Sequence, residues 1–460
     1  MNGVSRFAGA SAWRGMAAWG LALGAAASVA LALRGASGAL DFMRWRAAIA
    51  LVGAVALVSL AAAVRGWRNR PALLMHLGFA LVLGGWTANE VLQDLGVVPG
   101  EAQLRLCAEM GMTESTPDNR LAFTLESFEI DRWPDTGTVR QYTSRVRVAG
   151  EDFGISRETI SVNHPLVKDG WWVYQSSYQE MTNPYTGQPF YFTILQCVRD
   201  AGLPFVLAGG ILLLAGAFMY MLRRRPSIPQ TPNSQTPNFK LPTSNFKLQT
   251  SNSKLLTLLY SLVFSGACAM LVHRAMATGH APMQNMYEFL MCTAAFMPVL
   301  TWISARRGER TLLQDALLEV VVLVPVAFFM DGRVKHLMPA LQSPFFVPHV
   351  GAYVLGYVLL VRAALGAGRN LVGAGFFLMT VGLVLGSAWG KVCWGNWWMF
   401  DPKEMWSLAT WFVYVAYFHV RPRLSEKGDR MFLAVGAVMI VLTLTWINLS
   451  KVFTGMHSYA

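Results

Sequence analysis

The side chains best suited to chemistry in this sequence are histidines placed within or beside long apolar stretches. His76 and His419 lie near the ends of two such stretches, and His349 and His457 lie beside two others. Neutral imidazole is the commonest metal ligand in proteins. A metal ion bound directly by a protein usually takes Cys, Asp or Glu ligands as well, and the sequence shows no such ligands accompanying these four histidines.

Tryptophans gather in the segment WGNWWMFDPKEMW, which runs from Trp394 to Trp406. Six of the sixteen tryptophans lie in this turn and its flanks, whereas an aromatic belt at a membrane interface spreads over many loops. We therefore interpret the segment as a stacking platform for a large planar ligand. The six are Trp389, Trp394, Trp397, Trp398, Trp406 and Trp411.

A haem fits both observations, because its iron takes one or two axial imidazoles and its macrocycle needs an apolar, aromatic wall. The same turn also carries the signature of a helix start: Asp401 at the N-cap, then Pro402 and Glu404, form a capping box that needs no ligand. Lys391 and Lys403 are then candidates to face haem propionates. The five cysteines form no C-x-x-C-H motif, so we predict no covalent haem in the chain itself.

The elements that must position these side chains are membrane-spanning helices. Of the 460 residues, 54% are hydrophobic and 14% are charged, against about 25% charged in soluble proteins. Apolar windows long enough to cross a bilayer recur about eleven times, which predicts a polytopic α-helical membrane protein. The predicted spans are 13–33, 47–64, 72–92, 203–222, 255–277, 284–304, 311–330, 350–366, 371–388, 406–420 and 431–450.

Clusters of basic residues orient these spans, because short cytoplasmic loops are rich in Arg and Lys. Such clusters lie at 65–70, 223–225, 306–310, 362–369 and 421–430, all on one side of an eleven-span topology. The tryptophan turn, His349 and His457 then face outward, and His76 and His419 lie near the cytoplasmic face. The net charge of +12 thus reflects topology, and we predict no nucleic-acid partner.

Two regions lack the pattern of a span. Residues 94–200 hold runs of β-formers between Gly, Asn and Asp turns, which predicts a β-rich domain exported between the third and fourth spans. Residues 226–254 are rich in Pro, Ser, Thr and Asn, which predicts a disordered cytoplasmic linker. The predicted units are 1–93, 94–200, 201–225, 226–254 and 255–460. Cys107 and Cys197 flank the exported domain and either form a disulfide or remain two thiols.

The tryptophan turn resembles the WWD motif of system II cytochrome c synthases, in their CcsA (ResC-like) component. AWGKVC at 388–393, TWFVYVAYFHVR at 410–421, GMHSYA at 455–460 and HAPMQNMYEF at 280–289 fit the same component. In the N-terminal half, LLMHLGFALVLGG at 73–85 and VNHPLVKDGWWVYQSSY at 162–178 resemble the CcsB (ResB-like) component. The whole therefore resembles a natural fusion of CcsB in residues 1–225 with CcsA in residues 255–460.

The resemblance implies a cytochrome c synthase of the holocytochrome c haem lyase type, in a bacterial inner membrane with its active site facing the periplasm. It implies that haem b enters at His76 and His419 and that His349 and His457 then hold the ferrous iron at the WWD segment. The implied haem-binding residues there also include Trp389, Trp394, Trp397, Trp398, Asp401 and Trp406. The implied partners are haem, an apocytochrome c with a CxxCH motif, a thioredoxin-like thiol reductant and membrane lipid. Phe400, where the family usually has Trp, and Cys393 depart from the pattern.

Two other functions use similar residues. A haem exporter or chaperone needs the same four histidines but forms no bond to a cytochrome. An electron-transfer subunit with two b-type haems needs all four ligands on packed spans, whereas His457 lies among the last residues and His349 at a loop edge. Exchangeable haem fits those positions better, so the synthase remains the favoured hypothesis.

Overall fold

The computed structural model describes residues 42–152, 154–223, 250–308 and 311–446. The predicted first span at 13–33, most of the predicted linker and His457 lie outside these residues. The described helices are α1 Phe42–Arg65, α2 Arg70–Asp94, α3 Leu203–Leu222, α4 Thr250–Thr278, α5 Met286–Arg306, α6 Leu312–Phe328, α7 Phe346–Ala364, α8 Leu371–Trp394, α9 Pro402–Val420 and α10 Glu426–Val441. A π-helical turn, Leu442–Trp446, extends α10.

Six of the described helices, namely α2, α3, α4, α5, α7 and α8, are long and apolar enough to cross a membrane. Six such helices fit a multi-pass α-helical membrane protein, as the composition predicts. Helix α3 coincides with the predicted span at 203–222. α4 differs, because it begins at Thr250 and so takes in the last residues of the predicted linker.

All eight described strands lie between α2 and α3, which confirms a β-rich region in the N-terminal half. They are β1 Ala102–Leu106, β2 Thr113–Ser115, β3 Leu121–Arg132, β4 Val139–Gly150, β5 Gly154–Ser161, β6 Leu166–Lys168, β7 Trp171–Thr182 and β8 Pro189–Val198. They form two antiparallel sheets, ordered β1-β8-β7-β6 and β2-β3-β4-β5. We call residues 102–200, which run from β1 to Asp200 just after β8, the β domain.

The β domain has its own core, because alternate residues of each strand point to one face of a sheet. Phe123, Val146 and Trp171 are fully buried in this core. Cys107 and Cys197 are both buried thiols without a disulfide. Burial raises the pKa of the Cys197 thiol to about 12, so the reactive thiolate is scarce at neutral pH.

Helices α2 and α3, which flank the β domain in sequence, pack with their backbones nearly touching. A methyl group added at Gly78 would lie 2.6 Å from both the Gly209 carbonyl oxygen and the Leu213 amide nitrogen. Glycines at such contacts allow the close approach that stabilises helix pairs in lipid. The pair therefore forms one unit that carries the β domain at one end and His76 toward the other.

Helix α2 also packs against α9, from the C-terminal half. The Phe79 ring stacks on Trp411 with centroids 5.7 Å apart and contacts Phe412 edge-on at 6.2 Å. Trp411 is held in turn by a hydrogen bond from its indole N–H to the Thr380 hydroxyl of α8, at 3.0 Å. This contact aligns the two helices that carry His76 and His419.

Candidate functional site

The first site is a pair of histidines, one from each half of the chain. The His76 ring on α2 and the His419 ring on α9 lie with centroids 5.7 Å apart and planes inclined by 73°. His76 lies 18 residues before the end of α2, or about 27 Å along the axis at 1.5 Å per residue. We call these two residues the histidine pair, and it lies far from the β domain.

Hydrogen bonds fix which nitrogen of each ring carries the proton in the neutral form. His419 Nδ1 lies 2.8 Å from the Val415 carbonyl oxygen, which can only accept, so Nδ1 is the donor. The Ser59 hydroxyl donates to the His76 carbonyl at 3.0 Å, so its oxygen accepts from His76 Nδ1 at 3.3 Å. In both rings Nε2 therefore keeps the lone pair that a metal requires.

A basic groove opens at the start of α2, and its lining residue Leu74 precedes His76 by two positions. It has a volume of about 630 Å³. It is lined by Trp67, Arg68, Arg70, Leu73, Leu74 and Met219. The Arg68 guanidinium lies 5.3 Å from the centre of the Trp67 ring, so aromatic surface and positive charge occur together there.

The second site is a cavity of about 340 Å³ between α5, α7, α8 and α9, which we call the aromatic cavity. Its aromatic wall includes Tyr287, Phe289, Phe346, Tyr353, Trp389, Trp394 and Trp398. Gln284, Ser387, Lys403, Glu404 and Ser407 supply polar groups. A largely apolar lining with a few convergent polar groups is the usual form of a cofactor-sized site.

His349 enters the aromatic cavity from the first turn of α7. Its Nδ1 donates to the Gly382 carbonyl of α8 at 2.8 Å, which leaves Nε2 with the lone pair in the neutral ring. The His349 ring lies edge-to-face with the rings of Trp389 and Tyr353, with centroid distances of 5.7 Å and 5.1 Å. Gly386 makes room for it, because a methyl group there would lie 2.6 Å from His349 Cε1.

The tryptophan turn begins where α8 ends. The Trp389 and Trp394 rings are nearly parallel, with centroids 6.3 Å apart and planes inclined by 25°. Gly395 then ends the helix with φ +86, a conformation that favours glycine. Phe400 adopts φ +56, which is costly for a bulky side chain, and its ring lies 6.3 Å from Trp86 of α2.

Three of the predicted site residues have side chains engaged away from the aromatic cavity. Trp397 donates its indole N–H to Asp200 at 2.8 Å. Asp401 forms the predicted capping box with Glu404 at the start of α9. Trp406 is buried against Trp398, Phe400, Met439 and Leu442.

The two candidate lysines also differ in position: one lines the aromatic cavity and the other does not. Sequence reasoning had no basis for distinguishing them. Lys403 lines the aromatic cavity. Lys391 instead pairs with Asp200 at 2.8 Å, and both side chains are buried. Tyr353 and Gly386 were also missed, although the i, i+4 spacing of Gly382 and Gly386 on α8 marks a face that a neighbouring side chain can approach.

Comparison with known proteins divides the chain in two. Residues 22–190 match the ResB-like family, and residues 367–457 match the family described as cytochrome C assembly protein. The cytochrome c biogenesis protein CcsA of Synechococcus sp. (strain CC9311) is 28% identical, over 44% of this chain and 87% of that protein. The CcsA proteins of Prochlorococcus marinus (strain MIT 9303) and Chlamydomonas reinhardtii are 28% and 25% identical, and the matches cover 83% and 64% of their lengths. These two matches span 44% and 41% of this chain.

Proposed function

Since the chain is a fusion of ResB-like (CcsB) and CcsA halves with a role in cytochrome c biogenesis, we propose that it delivers haem to apocytochrome c and attaches it there. The observation that carries this proposal is the pair of imidazole sites at two depths. One is the histidine pair, and the other is His349 against the aromatic wall. A substrate that moves between them needs axial imidazoles at both.

In this proposal haem enters from the cytoplasm at the histidine pair. The basic groove supports that direction, because Arg68 and Arg70 match the two propionates of haem and Trp67 offers a stacking surface. His76 and His419 then hold the iron through Nε2. Their rings come from the two halves of the chain, so the fold brings both ligands to one substrate.

The aromatic cavity is the outward-facing site in this proposal. His349 is one axial ligand, and His457, in the C-terminal GMHSYA, is the second on the strength of the family resemblance. Trp389, Trp394 and Trp398 form the wall, and Lys403, which lines the same cavity, pairs with a propionate in this proposal. Trp397, Asp401 and Trp406 shape the turn rather than touch the substrate.

The bond-forming step is the addition of a thiol across a vinyl group. For each of the two bonds, sulfur of a CxxCH cysteine attaches to the vinyl carbon nearest the ring, and the proton of the thiol goes to the terminal carbon. Two thioethers form and nothing is oxidised or reduced overall. The cysteines must arrive as thiols, which accounts for a thioredoxin-like reductant as partner. Catalysis then consists chiefly of holding iron, vinyls and thiols in register.

We further propose the eleven-span topology in a bacterial inner membrane, with the β domain and the aromatic cavity on the periplasmic side. The basic clusters support this orientation through the positive-inside rule. The histidine pair then lies near the cytoplasmic face. Haem b, with ferrous iron at the outer site, is the substrate form that this arrangement serves.

The test is reconstitution in a bacterium that lacks its own cytochrome c maturation proteins. The chain is co-expressed with an exported CxxCH apocytochrome, and haem staining after denaturing electrophoresis reports the covalent bond. We expect a stained band that is lost in His349→Ala and kept in His273→Ala, which removes an exposed histidine of α4. Haem that copurifies with the chain while no cytochrome stains would indicate an exporter or chaperone instead.

A further inference from the structure

The β domain contacts both walls of the aromatic cavity, although it contributes none of the residues that line it. One wall is residues 389–398, which comprise the end of α8 and the start of the tryptophan turn; we call this segment the platform turn. The other is the approach loop, residues 337–345, which leads into α7 and so to His349. A domain in contact with both walls can set the distance between them.

The contact with the platform turn is ionic and buried. Asp200, in the short link between β8 and α3, lies 2.8 Å from the Lys391 ammonium, and neither side chain is more than 6% exposed. The same carboxylate accepts the Trp397 indole N–H at 2.8 Å. Lys391 also donates to the Gly395 carbonyl at 2.9 Å. One carboxylate thus holds the turn at two points, and removing its charge leaves the buried ammonium without its ion-pair partner and with Glu101 as a more distant acidic neighbour.

Backbone packing reinforces this contact. A methyl group added at Gly395 would lie 3.0 Å from both the Tyr174 ring and the Val198 side chain of the β domain. Tyr174 is itself buried, and burial raises the pKa of its hydroxyl above the ordinary value. The platform turn therefore rests directly on strands β7 and β8.

The β domain contacts the approach loop through several side chains: Trp133 donates its indole N–H to the Leu337 carbonyl at 3.4 Å, Gln342 donates to the Arg140 carbonyl at 2.7 Å, and Asn163 makes the most buried of these contacts. Asn163 adopts φ +66 in the turn after β5, a conformation that Asn tolerates better than most residues. Its Nδ2 lies 2.9, 3.2 and 3.1 Å from the carbonyl oxygens of Pro339, Ala340 and Gln342. Three carbonyls of one tight turn converge on that nitrogen, and the side chain is buried.

The two walls meet at Ala340. Its carbonyl also accepts the Trp389 indole N–H at 3.1 Å, from the platform side. Trp389 in turn contacts the His349 ring edge-on at 5.7 Å. A connected path therefore runs from Asn163 through the approach loop to Trp389 and the proposed axial ligand.

We infer that Asn163 and Asp200 are positioning residues, through which the β domain holds the approach loop and the platform turn in register around the outer haem. This inference rests on the proposed function and extends it, because it gives the β domain a task in the attachment step. Neither residue lines the cavity, so both act through Trp389, Trp397 and Lys391. Loosening either contact should alter the outer haem and leave the haem at the histidine pair unchanged.

The first experiment is Asn163→Gly in the full-length chain, which removes the amide and keeps a backbone that accepts φ +66. Asn119→Gly is the matched control, since Asn119 has φ +58 and an exposed side chain. The readouts are the absorption spectrum of the purified haem-loaded chain and haem-stained cytochrome. The outer-site signal is the part of the spectrum that His349→Ala removes. We expect Asn163→Gly to shift that signal and to lower attachment by about tenfold to a hundredfold, since a displacement of about 1 Å has that effect.

The second experiment tests the ion pair by rescue. Asp200→Asn removes the carboxylate that lies 2.8 Å from the Lys391 ammonium, and we expect reduced attachment with an altered outer-site spectrum. Adding Lys391→Gln removes the buried charge while amide groups still bridge the turn, and we expect attachment to recover. Wild-type outer spectra in both Asn163→Gly and Asp200→Asn would overturn the inference. Equal loss of haem from both sites would also overturn it, because that indicates general destabilisation.

These outcomes are separate from failure of the proposed function. If the wild-type chain binds haem but forms no stained cytochrome, the spectra alone still test the positioning of the outer site. If the wild-type chain binds no haem at two sites, the proposed function itself is wrong.

Discussion

Replacing Gly386 by alanine tests the geometry of the proposed outer ligand. The new methyl carbon would lie 2.6 Å from His349 Cε1 and 2.8 Å from Nδ1. Ordinary carbon–carbon contacts begin at about 3.5 Å, so the ring must retreat by about 1 Å. That movement strains the 2.8 Å hydrogen bond from Nδ1 to the Gly382 carbonyl. A misplacement of this size can lower a rate by about a hundredfold.

The helix itself should tolerate the change, because alanine is the better helix former by about 1 kcal/mol. We therefore expect normal amounts of Gly386→Ala protein, an altered outer haem spectrum, and haem-stained cytochrome reduced by one to two orders of magnitude. Gly373→Ala on the same helix is the control, since its methyl would meet only the Met221 Cα at 3.7 Å. An unchanged spectrum and full attachment in Gly386→Ala would refute the placement of His349 as a ligand.

Three further changes probe other parts of the molecule. Ser59→Ala removes the oxygen that orients His76, and we expect haem affinity at the histidine pair, measured by titration, to fall by about 10-fold to 100-fold. The hydrogen bond from His336 at 2.7 Å lowers the pKa of Asp135. The stabilisation from this hydrogen bond is therefore complete above the ordinary aspartate pKa and is lost as pH falls through the lower pKa of the folded state. Limited proteolysis should show the turn that carries Asp135 opening only below about pH 4. Asp135→Asn should abolish that transition. Gly78→Ala forces two helix backbones apart, and we expect a loss of about 1–3 kcal/mol, seen as a lower Tm.

Much of the helical frame follows from local sequence. Apolar windows predict the helices because lipid requires each spanning segment to satisfy its own backbone hydrogen bonds. The capping box at Asp401 is equally local, since all its partners lie within four residues. Within the described ranges, helices and the capping box appear where the sequence indicates them.

The contacts that shape the sites are not local, and this is why sequence reasoning missed them. Asp200 and Lys391 are separated by 191 positions, and no pattern in either segment indicates that they pair. Asn163 reads as an ordinary turn residue, whereas its amide reaches three carbonyls of another domain. The roles of Trp397 and Lys391 differ from those of Trp394 and Lys403 because of partners that only the folded chain supplies.

The histidine pair takes one imidazole from each half of the chain, and this has a consequence for assembly. Either half alone offers a single ligand, whereas the docked halves offer two at a fixed separation, which raises affinity through effective concentration. Under the proposed function, haem therefore binds at the histidine pair only when both halves have folded and α2 packs against α9. A partly assembled molecule would not bind haem at this site. The order of assembly would therefore limit when the proposed substrate is taken up.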